Sequence, residues 1–69
     1  MKNQIAEMVK VVADCEGVEF DAIKWIVIEG QDVLSVDVGT ERQEFPARGQ
    51  DEQDYRDAGL AAAEWLQEA

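Results

Sequence analysis

The stretch from residue 23 to residue 45 alternates apolar and polar side chains around two glycine-containing turns, and this pattern constrains the fold most. Such alternation is typical of β-strands that bury one face. Gly30-Gln31 and Gly39-Thr40 have the composition of two-residue hairpin turns. The stretch is therefore predicted to form a three-stranded antiparallel meander.

These turns also predict which residues face each other across the strands. The first turn sets Lys24 opposite Asp37, and the second sets Arg42 opposite Asp37, so that the three form a charged row on the outer face. The inner, apolar face is predicted to carry Ile23, Trp25, Val27, Leu34, Val36 and Val38.

An amphipathic helix is predicted on each side of the meander. Residues 4–15 have helical spacing of apolar residues, with Asn3 as a candidate N-cap and Gly17 as a stop. Their apolar stripe consists of Ile5, Met8, Val9 and Val12. A second helix begins near Asp51 and carries an apolar stripe of Tyr55, Ala58, Gly59, Ala62, Trp65, Leu66 and Ala69. Gly59 on this stripe indicates close approach of the helix to the sheet.

The predicted order is thus α-β-β-β-α in a single α+β domain over residues 1–69, with both helices packed on the apolar face of the meander. This order resembles that of the double-stranded-RNA-binding domain, as do Gly49 and the alanine-rich run 58–63. That family begins its last helix with lysines that contact phosphates. Residues 51–57 are acidic instead, so the resemblance implies shared architecture without RNA binding.

Charge excludes several functions. The chain has 16 Asp and Glu residues, six Lys and Arg residues and no His, for a net charge of −10. This balance argues against direct binding to nucleic acids or to anionic membranes. The longest apolar run, residues 26–28, is too short for a membrane span. Cys15 has no partner for an internal disulfide, so we expect a cytoplasmic protein.

Catalysis has little support in the sequence. Without His, no Ser-His or Cys-His pair can form, and a chain of this size offers little room for a pocket. We therefore expect no enzyme activity and no cofactor. Acidic residues near the start of the second helix lack the spacing of a calcium loop, so no metal site is predicted either.

The acidic residues are the candidate binding residues. Rows of carboxylates on one side of a helix or strand can stand in for the phosphates of a nucleic acid. The predicted contact residues are Asp51, Glu52, Asp54, Asp57, Glu19 and Asp21. A very short, acidic chain of this kind is similar in character to small phage-encoded inhibitors, including anti-CRISPR proteins and DNA mimics. The resemblance implies a protein or ribonucleoprotein partner with a basic groove.

Three alternatives stay open at this point. The carboxylates can serve only as a solvated surface that keeps the protein soluble. They can also be an adaptation to a salty cytoplasm. Alternatively, Ile26, Ile28 and Val33 form an apolar patch on the outer sheet face, through which a regulatory or structural module binds a partner or forms a homodimer.

Overall fold

The computed structural model describes residues 1–68. In chain order, one helix precedes a three-stranded sheet and a second helix follows it. The elements are α1 (Lys2–Cys15), β1 (Ala22–Ile28), β2 (Gln31–Val38), β3 (Glu41–Pro46) and α2 (Glu52–Glu68). The strands are antiparallel and lie in the order β1-β2-β3. The α-β-β-β-α order and the α+β class are therefore confirmed. Ala69, predicted to end the stripe of α2, lies outside the described residues.

The predicted register of β1 on β2 is wrong by two residues. Lys24 pairs with Ser35, and Asp37 pairs with Ala22. The cause is the first turn, which consists of Glu29-Gly30 with positive φ angles of 53° and 77°. Two residues of positive φ define a type I′ turn, whereas the prediction placed the loop one residue later. Moving a hairpin loop by one residue shifts the cross-strand partner of each residue by two positions. Because side chains alternate between the two faces of a strand, each side chain stays on its predicted face.

The second hairpin follows the prediction. Gly39, with a φ of 60°, lies in its turn, and Asp37 pairs with Arg42. Arg42 does not bond to Asp37, however. Its Nε donates to the hydroxyl of Ser35 at 3.3 Å, and its guanidinium lies 4.0 Å from Glu44. The predicted row of Lys24, Asp37 and Arg42 is thus replaced by contacts around Ser35.

The main core joins both helices to alternate positions of the sheet. Its buried members are Ala6, Val9 and Ala13 of α1, Ala62 and Leu66 of α2, and Ile23, Leu34 and Val36 of β1 and β2. Half-buried Trp25, Phe45 and Trp65 pack around this cluster. Val27 belongs to the same set of alternating positions but is 68% exposed, and its partner across the strands is Asp32.

α1 begins earlier than predicted and ends as predicted. It starts at Lys2, so Asn3 lies inside the first turn and is not the N-cap. At its other end, Gly17 has a φ of 71°. The amide of Val18 donates to the carbonyl of Ala13, and that of Gly17 to the carbonyl of Asp14. These two bonds form a Schellman motif, in which glycine supplies the left-handed residue.

The two helices run in the same direction and approach closely at Gly59. Lys2 lies over the ring of Tyr55, and Ile5 contacts α2 one turn further on. A Cβ added to Gly59 would lie 2.5 Å from the Cγ2 of Ile5. The glycine therefore permits helix–helix contact, not the predicted contact between helix and sheet. The apolar stripe of α1 is also rotated, since Ala6 and Ala13 are buried and Met8 is 42% exposed.

The predicted apolar patch on the outer sheet face is smaller than expected. Val33 is only 4% exposed, because it lies on the central strand between its partners Ile26 and Pro46. Ile26 is half-buried, and Ile28 is 40% exposed. Val33 therefore offers almost no surface to a partner.

The turn conformation predicts that Glu29→Asn stabilises the protein. Asn adopts positive φ more readily than Glu, so the free energy of unfolding should rise by up to about 1 kcal/mol. Urea denaturation measures the change. Glu29→Gln is the control, because it removes the same charge without easing the backbone. Equal effects of Asn and Gln would show that charge, not conformation, matters there.

The contact at Gly59 predicts that Gly59→Val destabilises the protein. The added side chain overlaps Ile5 and should lower the free energy of unfolding by about 1–3 kcal/mol. Ala61→Val introduces the same β-branched residue at an exposed position of α2 and should cost much less. Equal losses in the two variants would contradict tight packing at Gly59.

Candidate functional site

The predicted acidic residues of α2 are held by contacts within the helix. The carboxylate of Asp54 accepts a hydrogen bond from the amide of Asp51 at 3.2 Å, which is one half of a capping box. Glu52 pairs with Arg56 at 3.0 Å. Asp57 accepts a hydrogen bond from the amide group of Gln53 at 2.9 Å. We name Asp51, Glu52, Asp54 and Asp57 the α2 acidic patch.

The helix dipole explains why some of the carboxylates of the α2 acidic patch lie where they do. Carboxylates in a first turn interact favourably with the positive end of the helix dipole. The side chain of Asp54 caps the helix, lies beside Gly49 and is half-buried. It is therefore less accessible to a partner than its acidic neighbours are. Asp57 lies one turn further along and is exposed. Asp54 and Asp57 both line a depression of about 410 Å³ whose wall includes Phe45.

The other predicted contact residues lie at the far end of α1. Glu19 and Asp21 are exposed in the loop before β1, where they line a shallow depression of about 510 Å³ together with Asp14. We name these three residues the loop acidic patch. The opposite end of α1 lies beside the first turn of α2, so roughly 20 Å of helix separates the two patches. The predicted residues thus form two patches and no continuous row.

Most of the acidic charge faces solvent. Of the 16 Asp and Glu residues, Asp32, Asp37 and Asp54 are half-buried and the others are exposed. Across residues 1–68, four ion pairs bring a Lys or Arg nitrogen within 4 Å of a carboxylate. The remaining carboxylates keep their charge uncompensated by a close cation. Their combined field is strongly negative and favours the approach of cationic surfaces.

One polar cluster was not predicted from the sequence. The hydroxyl of Tyr55 donates to the carboxylate of Asp32 at 2.7 Å, and the ammonium of Lys2 lies 3.4 Å from the same oxygen. Lys2 also lies 5.5 Å from the centre of the Tyr55 ring, as in a cation–π contact. The indole of Trp25 donates to the carbonyl of Lys2 at 2.8 Å and meets Tyr55 edge to face.

This cluster has a structural role and shifts two pKa values. The hydrogen bond from Tyr55 lowers the pKa of Asp32, and the nearby ammonium of Lys2 lowers it further against the opposing effect of partial burial. The same hydrogen bond raises the pKa of Tyr55, and burial adds to this effect. The sequence contains one indication of this contact. Lys2 lies at the start of a helix, where the helix dipole disfavours a cation, so another contact must hold it there.

Apolar side chains are exposed in a groove between the helices. Met1, Ile5 and Met8 of the α1 side and Leu60 of α2 line a cavity of about 340 Å³, with Gln4, Glu52 and Arg56 at its polar positions. Met1, Met8 and Leu60 are between 42% and 55% exposed. We name this feature the interhelix groove. The sequence pattern missed it because Met8 was assigned to the buried stripe.

Residues 1–68 contain no group of three or more acidic, His or Cys side chains placed to hold a metal ion. Over the same residues, neither helix has the length and apolar character that crossing a bilayer demands. Cys15 is a free, exposed thiol. No known protein family matches this chain, and neither a curated protein nor a solved structure does.

The lowered pKa of Asp32 predicts a pH-dependent contribution to stability. Because the folded pKa lies below the unfolded value near 3.9, the contribution is present above that value. It is lost as the pH falls through the folded pKa. Wild type should therefore be more stable than Asp32→Asn at pH 7, and the difference should shrink at pH 2–3.

Denaturant unfolding at several pH values measures this difference. Asp21→Asn is the control for loss of one charge, since Asp21 is exposed. A gap between wild type and Asp32→Asn that stays constant down to pH 2 would contradict the role of the ionised carboxylate.

Proposed function

We propose that the protein is a non-catalytic inhibitor that presents its carboxylates to a basic, nucleic-acid-binding groove of a partner complex. The observation that supports this most is the exposure of nearly all of its acidic residues, with few close cations, at a net charge of −10. A groove evolved to hold phosphates offers Lys and Arg at short spacing. Carboxylates on a rigid scaffold can occupy those positions and exclude the nucleic acid.

The two acidic patches give this proposal its geometry. Each patch combines several carboxylates on one end of α1 or α2, and about 20 Å lies between them. That distance corresponds to several nucleotides along a nucleic-acid strand, at 3.4 Å of rise per nucleotide. One molecule could thus occupy two phosphate-binding positions in the same groove. Long-range attraction would speed association and make it sensitive to salt.

The resemblance in character to phage-encoded inhibitors selects the first partners to test. CRISPR effector complexes hold nucleic acid in positively charged channels. We propose an anti-CRISPR-like role in a cytoplasmic setting, with competition against target DNA as the mechanism. The apolar alternative has less support, because Val33 is buried and Ile28 is the main side chain of that patch left exposed.

The proposal predicts that neutralising exposed patch residues weakens competition with DNA. The patch variant carries Glu19→Gln, Asp21→Asn and Asp57→Asn, and it spares Asp54 because Asp54 caps α2. At roughly 0.5 kcal/mol per lost charge contact, affinity should fall about tenfold. Displacement of labelled DNA from a panel of purified CRISPR effector complexes, followed by fluorescence anisotropy at two salt concentrations, measures the effect.

A matched control separates the location of charge from its amount. Glu41→Gln, Glu64→Gln and Glu68→Gln remove three exposed carboxylates outside both patches. This control should retain most of the activity. Equal losses in the two triple variants would refute the assignment of contacts to the patches, and failure to displace DNA from every complex would refute the anti-CRISPR role.

A further inference from the structure

We infer that the free edge of β1 pairs with the same edge of a second copy of the chain, through an antiparallel contact at Trp25 and Val27. The inference goes beyond the proposed function and is independent of it. It rests on the main-chain groups that β1 leaves unpaired, on the side chains around them and on the distribution of charge.

The first step identifies the main-chain groups that face outward from β1. A two-residue turn joins β1 to β2, and the residues that flank such a turn, Ile28 and Gln31, form a hydrogen-bonded pair. These pairs occur at every second residue of antiparallel strands. The amide and carbonyl groups of Ile23, Trp25 and Val27 therefore point away from β2. In the described part of the chain, none of the hydrogen bonds outside the strand pairing involves these six groups.

The second step compares the two free edges of the sheet. By the same alternation, the outward main-chain groups of β3 belong to Arg42, Glu44 and Pro46. Charged side chains hinder the pairing of an edge with another strand, and so does proline, which has no amide hydrogen. The outward residues of β1 are all apolar and include no proline. The edge of β3 is thus protected against pairing, whereas the edge of β1 is open to it.

The third step concerns access to the edge of β1. Ile23 is buried and Trp25 is half-buried, but Val27 is 68% exposed. A depression of about 360 Å³ is lined by Trp25 on the strand side and by Asn3 and Glu7 on the side of α1. α1 therefore leaves room beside the strand. The accessible part of the edge consists of residues 25–28.

The fourth step identifies the occupant as a second copy. An antiparallel strand that sets its own Val27 opposite Trp25, and its own Trp25 opposite Val27, would share four main-chain hydrogen bonds with β1. A two-fold axis between two copies produces this arrangement from one sequence. Each such pair joins two apolar side chains on one face of the sheet. On the other face, Ile26 of one copy would meet Ile26 of the second copy.

The fifth step is charge, because each copy carries −10. Of the five helices and strands in residues 1–68, β1 alone contains no Asp or Glu. Its Lys24 has no carboxylate within 4 Å in the same part of the chain. In the antiparallel pair, Lys24 lies opposite Ile28 of the second copy and beside the Glu29 that follows it. Opposite charges thus meet at both ends of the contact.

Sedimentation equilibrium of the full chain tests for this dimer. One pair of strands buries less area than a standard interface, so we expect a weak dimer with a Kd on the order of 0.1 mM. Raising the salt concentration from about 50 mM to about 500 mM should lower this Kd by about threefold, because salt screens the repulsion between the copies. A chain that stays monomeric at about 1 mM protein and at both salt concentrations would overturn the inference.

Amide hydrogen exchange followed by NMR locates the contact. The amides of Trp25 and Val27 should exchange about threefold more slowly at high protein concentration than at low concentration. The amide of Ile26 bonds to β2, so its exchange should not depend on protein concentration. A dimer without this change at Trp25 and Val27 would assign self-association to another surface and overturn the inference.

Variants test the main-chain bonds and the apolar contact separately. Val27→Pro removes an amide that does not bond to β2, so it should raise the Kd at least about tenfold while the sheet stays intact. Val27→Gln retains the amide, removes the apolar contact and should raise the Kd about threefold. Circular dichroism confirms that the variants are folded. A Kd that neither variant changes would overturn the inference.

Glu44→Pro is the matched control for the proline. It places proline at an outward position of the other edge strand, β3, and should leave the dimer intact. Its loss of an acidic charge lowers the repulsion between copies, so charge cannot account for dissociation of the dimer. Equal dissociation by Glu44→Pro and Val27→Pro would contradict pairing through β1.

The salt dependence separates this inference from the proposed function. Salt should strengthen the dimer but weaken binding to a basic groove. The DNA competition assay, run at protein concentrations well below the Kd of the dimer, tests the acidic patches on monomers, so either result can fail alone. A synthetic peptide of alternating Thr and Val provides the remaining test. If it slows amide exchange at Trp25 and Val27 in a chain that stays monomeric, the edge binds a different strand and the inference is overturned.

Discussion

The carboxylate of Asp32 is the contact on which closure of this small fold depends. This carboxylate accepts a hydrogen bond from the hydroxyl of Tyr55 in α2 and forms an ion pair with the ammonium of Lys2 in α1. The backbone carbonyl of Asp32 accepts a hydrogen bond from the amide of Ala47. One residue of β2 thereby holds both helices and the segment after β3. The aromatic rings of Trp25 and Tyr55 cover this cluster and add apolar burial to it. A chain below 70 residues has a limited core, so hydrogen bonds and ion pairs of this kind contribute a large share of the specificity of its fold.

The same acid type therefore serves two purposes in one molecule. Asp32 and Asp54 are half-buried and bonded, and they determine the positions of the helices. Most other carboxylates face water, where their mutual repulsion lowers stability. Exposed like charge on a fold with a small core therefore has a cost in stability. This cost is one physical reason for which we propose a binding role for the acidic surface.

Alternation and glycine turns were sufficient to predict the element order, the two faces of the strands and the register of the second hairpin. They were not sufficient for the first hairpin, because moving its loop by one residue leaves every face unchanged. The positive φ of Glu29 distinguishes the two registers, and the residue type does not predict this conformation. The burial of Val33 depends on neighbours from both adjacent strands, and the Tyr55–Asp32 bond joins residues 23 apart. Local patterns contain neither kind of information. All the acidic candidates except Asp54 are exposed, and their division into two patches follows from helix direction.

The shared direction of α1 and α2 gives the molecule an electrical axis. The macrodipoles of parallel helices add, so their negative ends coincide near the end of α1, where Asp14 and Glu16 lie. Neither helix places a basic residue in its last turn, as far as Glu68, to offset this pole. At the opposite pole, Lys2, Arg56 and the amino ends of both helices partly offset the charge of the α2 acidic patch. In the field of a cationic body the molecule would rotate before contact, with the turn after α1 leading.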